Sequence, residues 1–185
     1  MKFTTEWHFG NDVCELTPLK IEDQRGFFSE VYQKNNFKKL GILEDFIQEN
    51  HSFTKDQYTF RGLHLQKPPF EQAKLVRVLK GSILDIALDL RQKSPTYLQH
   101  KQFTLSANNF KQLYIPAGFA HGFLTLEDNC EISYKVSSPY NQPSDVSLSV
   151  FDEQLGITLP CLKEDIALSK KDNEALKLNA LGKIF

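Results

Sequence analysis

The stretch Lys74-Leu75-Val76-Arg77-Val78-Leu79-Lys80-Gly81-Ser82-Ile83-Leu84-Asp85-Ile86-Ala87-Leu88-Asp89-Leu90 decides the fold. Two runs rich in Val, Ile and Leu flank Lys80-Gly81-Ser82, which reads as a tight turn. Residues 74–79 are predicted as one strand. Residues 82–90 are predicted as the next, alternating apolar and polar around Asp85 and Asp89. Ser94-Pro95 then breaks the chain, and residues 102–105, 112–115, 122–126 and 131–137 read as further strands. Turn residues recur roughly every ten positions, the rhythm of an all-β sandwich or barrel. The prediction is an antiparallel jelly roll with Phe and Leu filling its interior. Helix is expected only at residues 35–40 and in the tail at 169–178, so helices are short, peripheral and C-terminal.

Working outward, 185 residues suffice for one well-buried core and are too few for two ordinary domains. A single domain over residues 1–185 is expected. The net charge of −1 provides no overall field for nucleic acid or an anionic membrane. Neither is expected as a partner, and a phosphate-bearing ligand would need a local cluster of Arg and Lys. Cys14, Cys130 and Cys161 are odd in number and far apart, which fits neither a disulfide framework nor a zinc spacing. The opening residues lack the apolar stretch of a secretory signal. No run approaches the ~18 apolar residues of a membrane span. A cytoplasmic protein is expected.

The chemistry is sought among the histidines His8, His51, His64, His100 and His121. His64 closes Arg61-Gly62-Leu63-His64, where Gly62 allows a turn or a close approach of backbone. His121 follows the turn Pro116-Ala117-Gly118 and is carried onto the next strand. This Pro-x-Gly-x-x-His spacing resembles the second motif of cupins, whose metal-binding members add an earlier His-x-His pair and a carboxylate. Here the first motif reads His64-Leu65-Gln66, and a neutral amide is a poor ligand for the metals imidazole selects. No metal and no cofactor are expected.

Without a metal, general acid–base catalysis is the natural use of a buried histidine. Proton abstraction beside a carbonyl needs a base, a donor at the developing enolate oxygen and an acid to return the proton. His64 is the candidate base, and a nearby carboxylate could hold its tautomer. Lys74, between apolar Ala73 and Leu75, is the candidate oxyanion partner. Tyr134, in Ile132-Ser133-Tyr134-Lys135, is the candidate donor from the opposite face. Each has a blander reading. His64 and His121 could be satisfied core histidines, Tyr134 core packing, Lys74 a snorkelling edge residue and Asp172 a helix N-terminal carboxylate. Spacing alone gives a β-barrel with a candidate His site.

Further segments appear in order: Arg25-Gly26-Phe27-Phe28-Ser29-Glu30, Gln48-Glu49-Asn50-His51-Ser52, Arg61-Gly62-Leu63-His64, Lys74-Leu75-Val76, Asp89-Leu90-Arg91 and Ser94-Pro95-Thr96. Ile115-Pro116 to Phe123, Ser133-Tyr134-Lys135 and Leu168-Ser169-Lys170-Lys171-Asp172 follow. Together they resemble the dTDP-4-dehydrorhamnose 3,5-epimerase family over nearly the whole chain. The resemblance implies a jelly-roll cupin, a homodimer, and neither metal nor diffusible cofactor. The implied enzyme is an isomerase inverting C3 and/or C5 of a nucleotide-linked 4-keto-6-deoxy sugar, for surface polysaccharide, capsule or lipopolysaccharide synthesis. It makes His64 the base, Asp172 its carboxylate partner, Tyr134 the acid, Lys74 the lysine at the ketone and His121 a second active-site histidine. It makes Arg25, Phe27, Glu30, Gln48, Asn50, Arg61, Tyr140 and Lys171 substrate-binding residues, the two arginines supplying local positive charge.

After Tyr140 the pattern departs. The family's Glu-Gly pair and the Trp before the Asp matching Asp152 are replaced by Asp145-Val146-Ser147-Leu148-Ser149-Val150-Phe151, and a second Trp is Leu159. With Val150 and Leu159 in place of flat rings, a roomier pocket is expected. It would favour a GDP-linked or larger 4-keto sugar, such as a heptose, over dTDP-4-keto-6-deoxyglucose. Three alternatives compete with the epimerase: a metal cupin, a 3,4-ketoisomerase cupin, and a non-catalytic sugar-nucleotide-binding cupin. The first is opposed by Gln66, the second by the Tyr134 and Asp172 segments. The third should lack the base or the acid, and both are present.

Overall fold

The computed structural model describes residues 2–182 and 184–185. Strands β1 (Phe3–His8), β2 (Val13–Pro18), β3 (Ile21–Asp23) and β4 (Gly26–Phe28) precede helix α1 (Lys34–Lys39). Then come β5 (Gln48–Thr54), β6 (Thr59–Gln66), β7 (Lys74–Lys80), β8 (Ser82–Asp89), β9 (His100–Ser106), β10 (Gln112–Ile115), β11 (Phe119–Thr125) and β12 (Cys130–Val136). The tail holds β13 (Asp145–Ser147), β14 (Ala167–Leu168), α2 (Lys170–Asn173) and α3 (Leu178–Leu181).

One sheet has the order β1-β2-β10-β7-β12-β5 and the other β13-β6-β11-β8-β9, with β14 added parallel to β6. The remaining pairings are antiparallel, as expected, and β3 and β4 form a separate hairpin. The turn at Gly81 therefore carries the chain from one sheet to the other, because β7 and β8 belong to different sheets.

Apolar side chains form three layers. Between the sheets lie Val76, Val78, Ile83, Ala87, Phe119 and Phe123. Val and Ile share this interior with the expected Phe and Leu. Outside the second sheet, Phe60, Leu63, Ile86, Leu88 and Leu124 are covered by C-terminal segments through Leu148, Val150, Leu155 and Leu181. Outside the first sheet, α1 buries Phe37 against Phe3, Leu16 and Tyr114. Residues of β8 thus find apolar cover on both faces, and a strand buried on both faces reads as a nearly continuous apolar run. Fully burying a side chain such as Phe60 contributes about 1.5–3 kcal/mol.

The expected helix over 35–40 forms as α1, capped by the Gln33 side chain, which accepts from the Asn36 N–H. The expected continuous helix over 169–178 does not form. It splits into α2 and α3, because Leu176 is drawn into backbone pairing: its N–H donates to Ser147 O at 3.0 Å, and its O accepts from Ser149 N–H at 2.8 Å. The chain then restarts as α3, with the Leu178 N–H donating to the Asp152 carboxylate at 2.6 Å. Among the described residues no helix is long and apolar enough to cross a membrane.

Candidate active site

The site begins with an irregularity in β6. Strand side chains alternate, so Arg61 and His64, three apart, should face opposite ways. They do not, because β6 carries one extra residue against β11: His121 pairs with His64 and Phe123 with Arg61. Such a bulge re-aims a side chain without ending the strand. Gly62, at φ +124°, makes it sterically feasible. A Cβ there would lie 2.6 Å from Gly122 Cα and 2.8 Å from His121 O. The result puts Arg61, His64 and His121 together on one cavity wall.

Each histidine is held by a carboxylate. His64 Nε2–H donates to Asp172 Oδ1 at 2.6 Å, a partner 108 residues further along the chain. Asp172 is buried and His64 about one-third exposed, so the pair presents its imidazole, not its carboxylate. Burial alone would raise the Asp172 pKa. The hydrogen bond and charge of His64, with the Ser169 hydroxyl, outweigh it and hold the carboxyl below its ordinary value. His121 Nε2–H donates to both oxygens of Asp85 at 2.9 Å. Burial lowers the His121 pKa, against the opposing pull of Asp85.

The facing wall comes from the first sheet. Lys74 and Tyr134 project from the adjacent strands β7 and β12, on the same side as interior Val76 and Ile132. Burial pushes the Lys74 ammonium down to about 8, with Asp85 and Asp145 opposing it. Burial raises the Tyr134 phenol, with Arg61 opposing it. All five candidate catalytic residues, His64, Lys74, His121, Tyr134 and Asp172, line one cavity of ≈ 580 Å³. An adjoining cavity of ≈ 460 Å³ shares His64, Lys74 and Tyr134 and adds Gln48, Asn50, Tyr140 and Lys171. Chemically, the arrangement offers an oriented imidazole on one wall and a cation with a phenol on the other.

Gln66, at the third position of the His-x-His motif, serves the loops instead. Its amide donates to Pro139 O at 3.1 Å, and its oxygen accepts from the Asn141 N–H at 2.7 Å. Among the described residues no three His, Cys, Asp or Glu side chains gather in a way that could hold a metal ion.

The sequence pattern of the family described as dTDP-4-dehydrorhamnose 3,5-epimerase matches residues 10–180. The dTDP-4-dehydrorhamnose 3,5-epimerase of Sinorhizobium fredii is 43% identical over 174 residues, covering 94% of this chain and 89% of that protein. The chain belongs to this epimerase family. Solved structures agree. The Bacillus anthracis str. Ames dTDP-4-dehydrorhamnose 3,5-epimerase, with TDP and PPi bound, superposes with a TM-score of 0.92 at 40% identity, covering 95% of this chain and 99% of that one. The Legionella pneumophila dTDP-6-deoxy-D-glucose-3,5-epimerase, in complex with dTDP-4-keto-L-rhamnose, gives 0.90 at 38% identity, covering 97% and 94%. The protein is accordingly an isomerase, a cupin-type epimerase of nucleotide-linked 4-keto sugars. The ketoisomerase and binding-only alternatives are not favoured.

Not every residue implied by family resemblance reaches the cavity. Arg25 and Phe27 sit on the exposed β3–β4 hairpin, Arg25 paired with Asp23 and Phe27 edge-on to Phe110. Glu30 is engaged by Lys2 and Asn36. Within one chain, these three stand apart from Gln48, Asn50, Arg61, Tyr140 and Lys171. Two of the departures from the epimerase pattern also fall elsewhere than expected. Val150 and Leu159 pack into the apolar layer outside the second sheet and line neither cavity at His64. The argument for a roomier pocket therefore loses its basis.

Sequence reasoning passed over Asp85 and Asp145. Asp85 is fully buried on the inward face of β8, between Ile83 and Ala87. A buried carboxylate needs a partner, so that position was a legible signal. Asp145 ties Tyr140 to Lys171, accepting from the Tyr140 hydroxyl at 3.0 Å and from the Lys171 ammonium. It lies in the stretch that departs from the family pattern and lines the ≈ 460 Å³ cavity.

Proposed function

We propose that the protein inverts C3 and C5 of a dTDP-linked 4-keto-6-deoxy sugar through enolate intermediates. One observation supports this above others: an oriented imidazole and a phenol face one cavity from opposite sheets, with a half-buried lysine beside the phenol. His64 removes the proton from the carbon beside the ketone, and Asp172 stabilises the imidazolium. The electron pair moves onto the ketone oxygen, where the Lys74 ammonium, with His121 nearby, meets the new charge. Tyr134 delivers its proton to the carbon from the other side, and solvent restores Tyr134 and His64. Arg61 supplies charge for the diphosphate. Its Nε–H is already steadied by Thr54 Oγ1 at 3.0 Å.

The thymidine-linked substrate is preferred because dTDP sugars are named for the relatives, and because Val150 and Leu159 lie away from the cavity. The test is parallel assay of dTDP-4-keto-6-deoxyglucose and a GDP-linked 4-keto sugar, with the product stereochemistry read by NMR. A higher kcat/KM on the dTDP sugar, with both centres inverted, is expected. A preference for the GDP sugar would overturn the nucleotide assignment, and inversion at C3 alone would overturn the double inversion. The free thiols Cys14, Cys130 and Cys161 suit action in the reducing cytoplasm. The product suits supply of a deoxy sugar to surface polysaccharide.

The active unit in this reading is a homodimer. The β3–β4 hairpin exposes Phe27, Phe28 and Ile21 beside Arg25, an arm that is apolar and cationic and remains exposed although Arg25 pairs with Asp23 and Phe27 touches Phe110. Across a two-fold axis each arm would bring Arg25, Phe27 and Glu30 to the other copy's cavity. Light scattering should give twice the chain mass of 21.3 kDa. A fully active monomer would contradict this.

A further inference from the structure

Asp172 sits on a helix too short to hold it. The α2 helix spans four residues, and isolated turns of that length are unstable. Yet the Asp172 carboxylate must keep one oxygen on His64 through each proton transfer. A neighbour does this from both sides. Ser169, the N-cap of α2, accepts from the Asp172 backbone N–H at 3.1 Å and donates its own hydroxyl to Asp172 Oδ2 at 2.8 Å. One hydroxyl thus fixes the backbone and the side chain of the same residue, leaving Oδ1 for His64 at 2.6 Å.

We infer that Ser169 is a positioning residue for the proton transfer, setting the carboxylate so that it orients the His64 imidazole. This rests on the assignment of His64 and Asp172 as base and partner. It differs from ordinary capping, in which the side-chain oxygen only accepts from the helix backbone. Here the hydroxyl hydrogen is also used, and on the carboxylate itself. Ser169 lies at the surface where the cavity at His64 meets a second one lined by Lys163, Lys170 and Lys177. Outside α2, the Gly62 backbone N–H also favours the ionised Asp172 carboxyl, but it holds none of the helix turn that Ser169 caps.

The test exploits an equivalence. Thr and Gly are about equal as N-caps, both slightly poorer than Ser, but only Thr keeps the hydroxyl. Ser169→Gly and Ser169→Thr should therefore melt at similar temperatures and differ in activity. The Gly variant is expected to lose on the order of 10- to 100-fold in kcat, as misplacement of a reacting group does, with KM little changed. The Thr variant should recover most of that loss. Equal kcat for the two, or a loss confined to KM, would overturn the inference. Should the Gly variant not fold, Ser169→Asp accepts the cap hydrogen bond as well as Ser but, ionised, cannot donate to Asp172. Wild-type kcat in that variant would equally overturn it. His64→Asn, measured alongside, separates the two levels. If it retains hydrogen exchange, the assignment of the base fails. If it loses exchange while Ser169→Gly keeps full kcat, only the role of Ser169 fails.

Discussion

His64→Asn is expected to lose both epimerisation and exchange of substrate hydrogens with solvent. Asparagine approximates the shape of the imidazole and can still donate to Asp172, but it cannot accept a proton at neutral pH. Its Asp172 partner stays buried and keeps the Ser169 hydroxyl, while losing the charge of His64 that helps hold its carboxyl below the ordinary value in the wild type. General acid–base groups are worth about 10²–10⁴-fold, and the loss should lie at the upper end because in the proposed mechanism every inversion begins at this residue. Both readouts must fall together, since no carbon is exchanged or inverted unless a proton first leaves. A variant with wild-type exchange would mean that another group, with His121 and Lys74 the nearest choices in the cavity, is the base.

Tyr134→Phe is expected to separate these two readouts. Removing one oxygen leaves the ring against interior Val76 and Ile132, so the wall keeps its shape while losing its donor. His64 can still remove a proton and return it to the same face, and exchange should persist. Inversion needs a proton from the opposite wall and should fall by about 10²–10⁴-fold, the ordinary worth of a general acid. Equal loss of exchange and inversion would place Tyr134 in enolate formation instead. Unchanged inversion would remove it from the chemistry.

How much of this could be read in advance varied along the chain. From Lys74 to Val136, strands were legible because turns at Gly81, Ser94-Pro95 and Pro116-Ala117-Gly118 bound runs rich in buried apolar residues, while the short β13 and β14 carried no such signal. Before Lys74 the strands went unread, for physical reasons. The edge strand β5 has exposed Gln48, Glu49, His51 and Phe53, so its alternation carries little apolar contrast. In β6 the bulge at Gly62 breaks the period on which strand reading depends. The broken tail helix had no local signal, because the pairing of Leu176 with the segment around Leu148 is a contact between distant parts of the chain.

The site shows the same division. His64 and His121 stood out through neighbouring Gly and Pro, and Lys74 and Tyr134 through their strand positions, while Asp172 gained its role only from the family resemblance. Asp172 in fact satisfies both of its readings, as an early carboxylate of α2 and as the partner of His64. Arg25, Phe27 and Glu30 carry a family signature that one chain by itself does not bring to the cavity. The proposed homodimer would place them at the other copy's cavity, and no pattern within a single strand encodes such an assembly.

The central claim is that protons leave and return at the carbons beside the ketone, through His64 and Tyr134. The most direct test is to run the wild-type reaction in deuterated water and locate deuterium in the product by mass spectrometry and NMR. Each inverted centre should carry one solvent-derived deuteron, and His64→Asn should incorporate none. Inverted product that retains its original hydrogen at the inverted carbon would contradict the account.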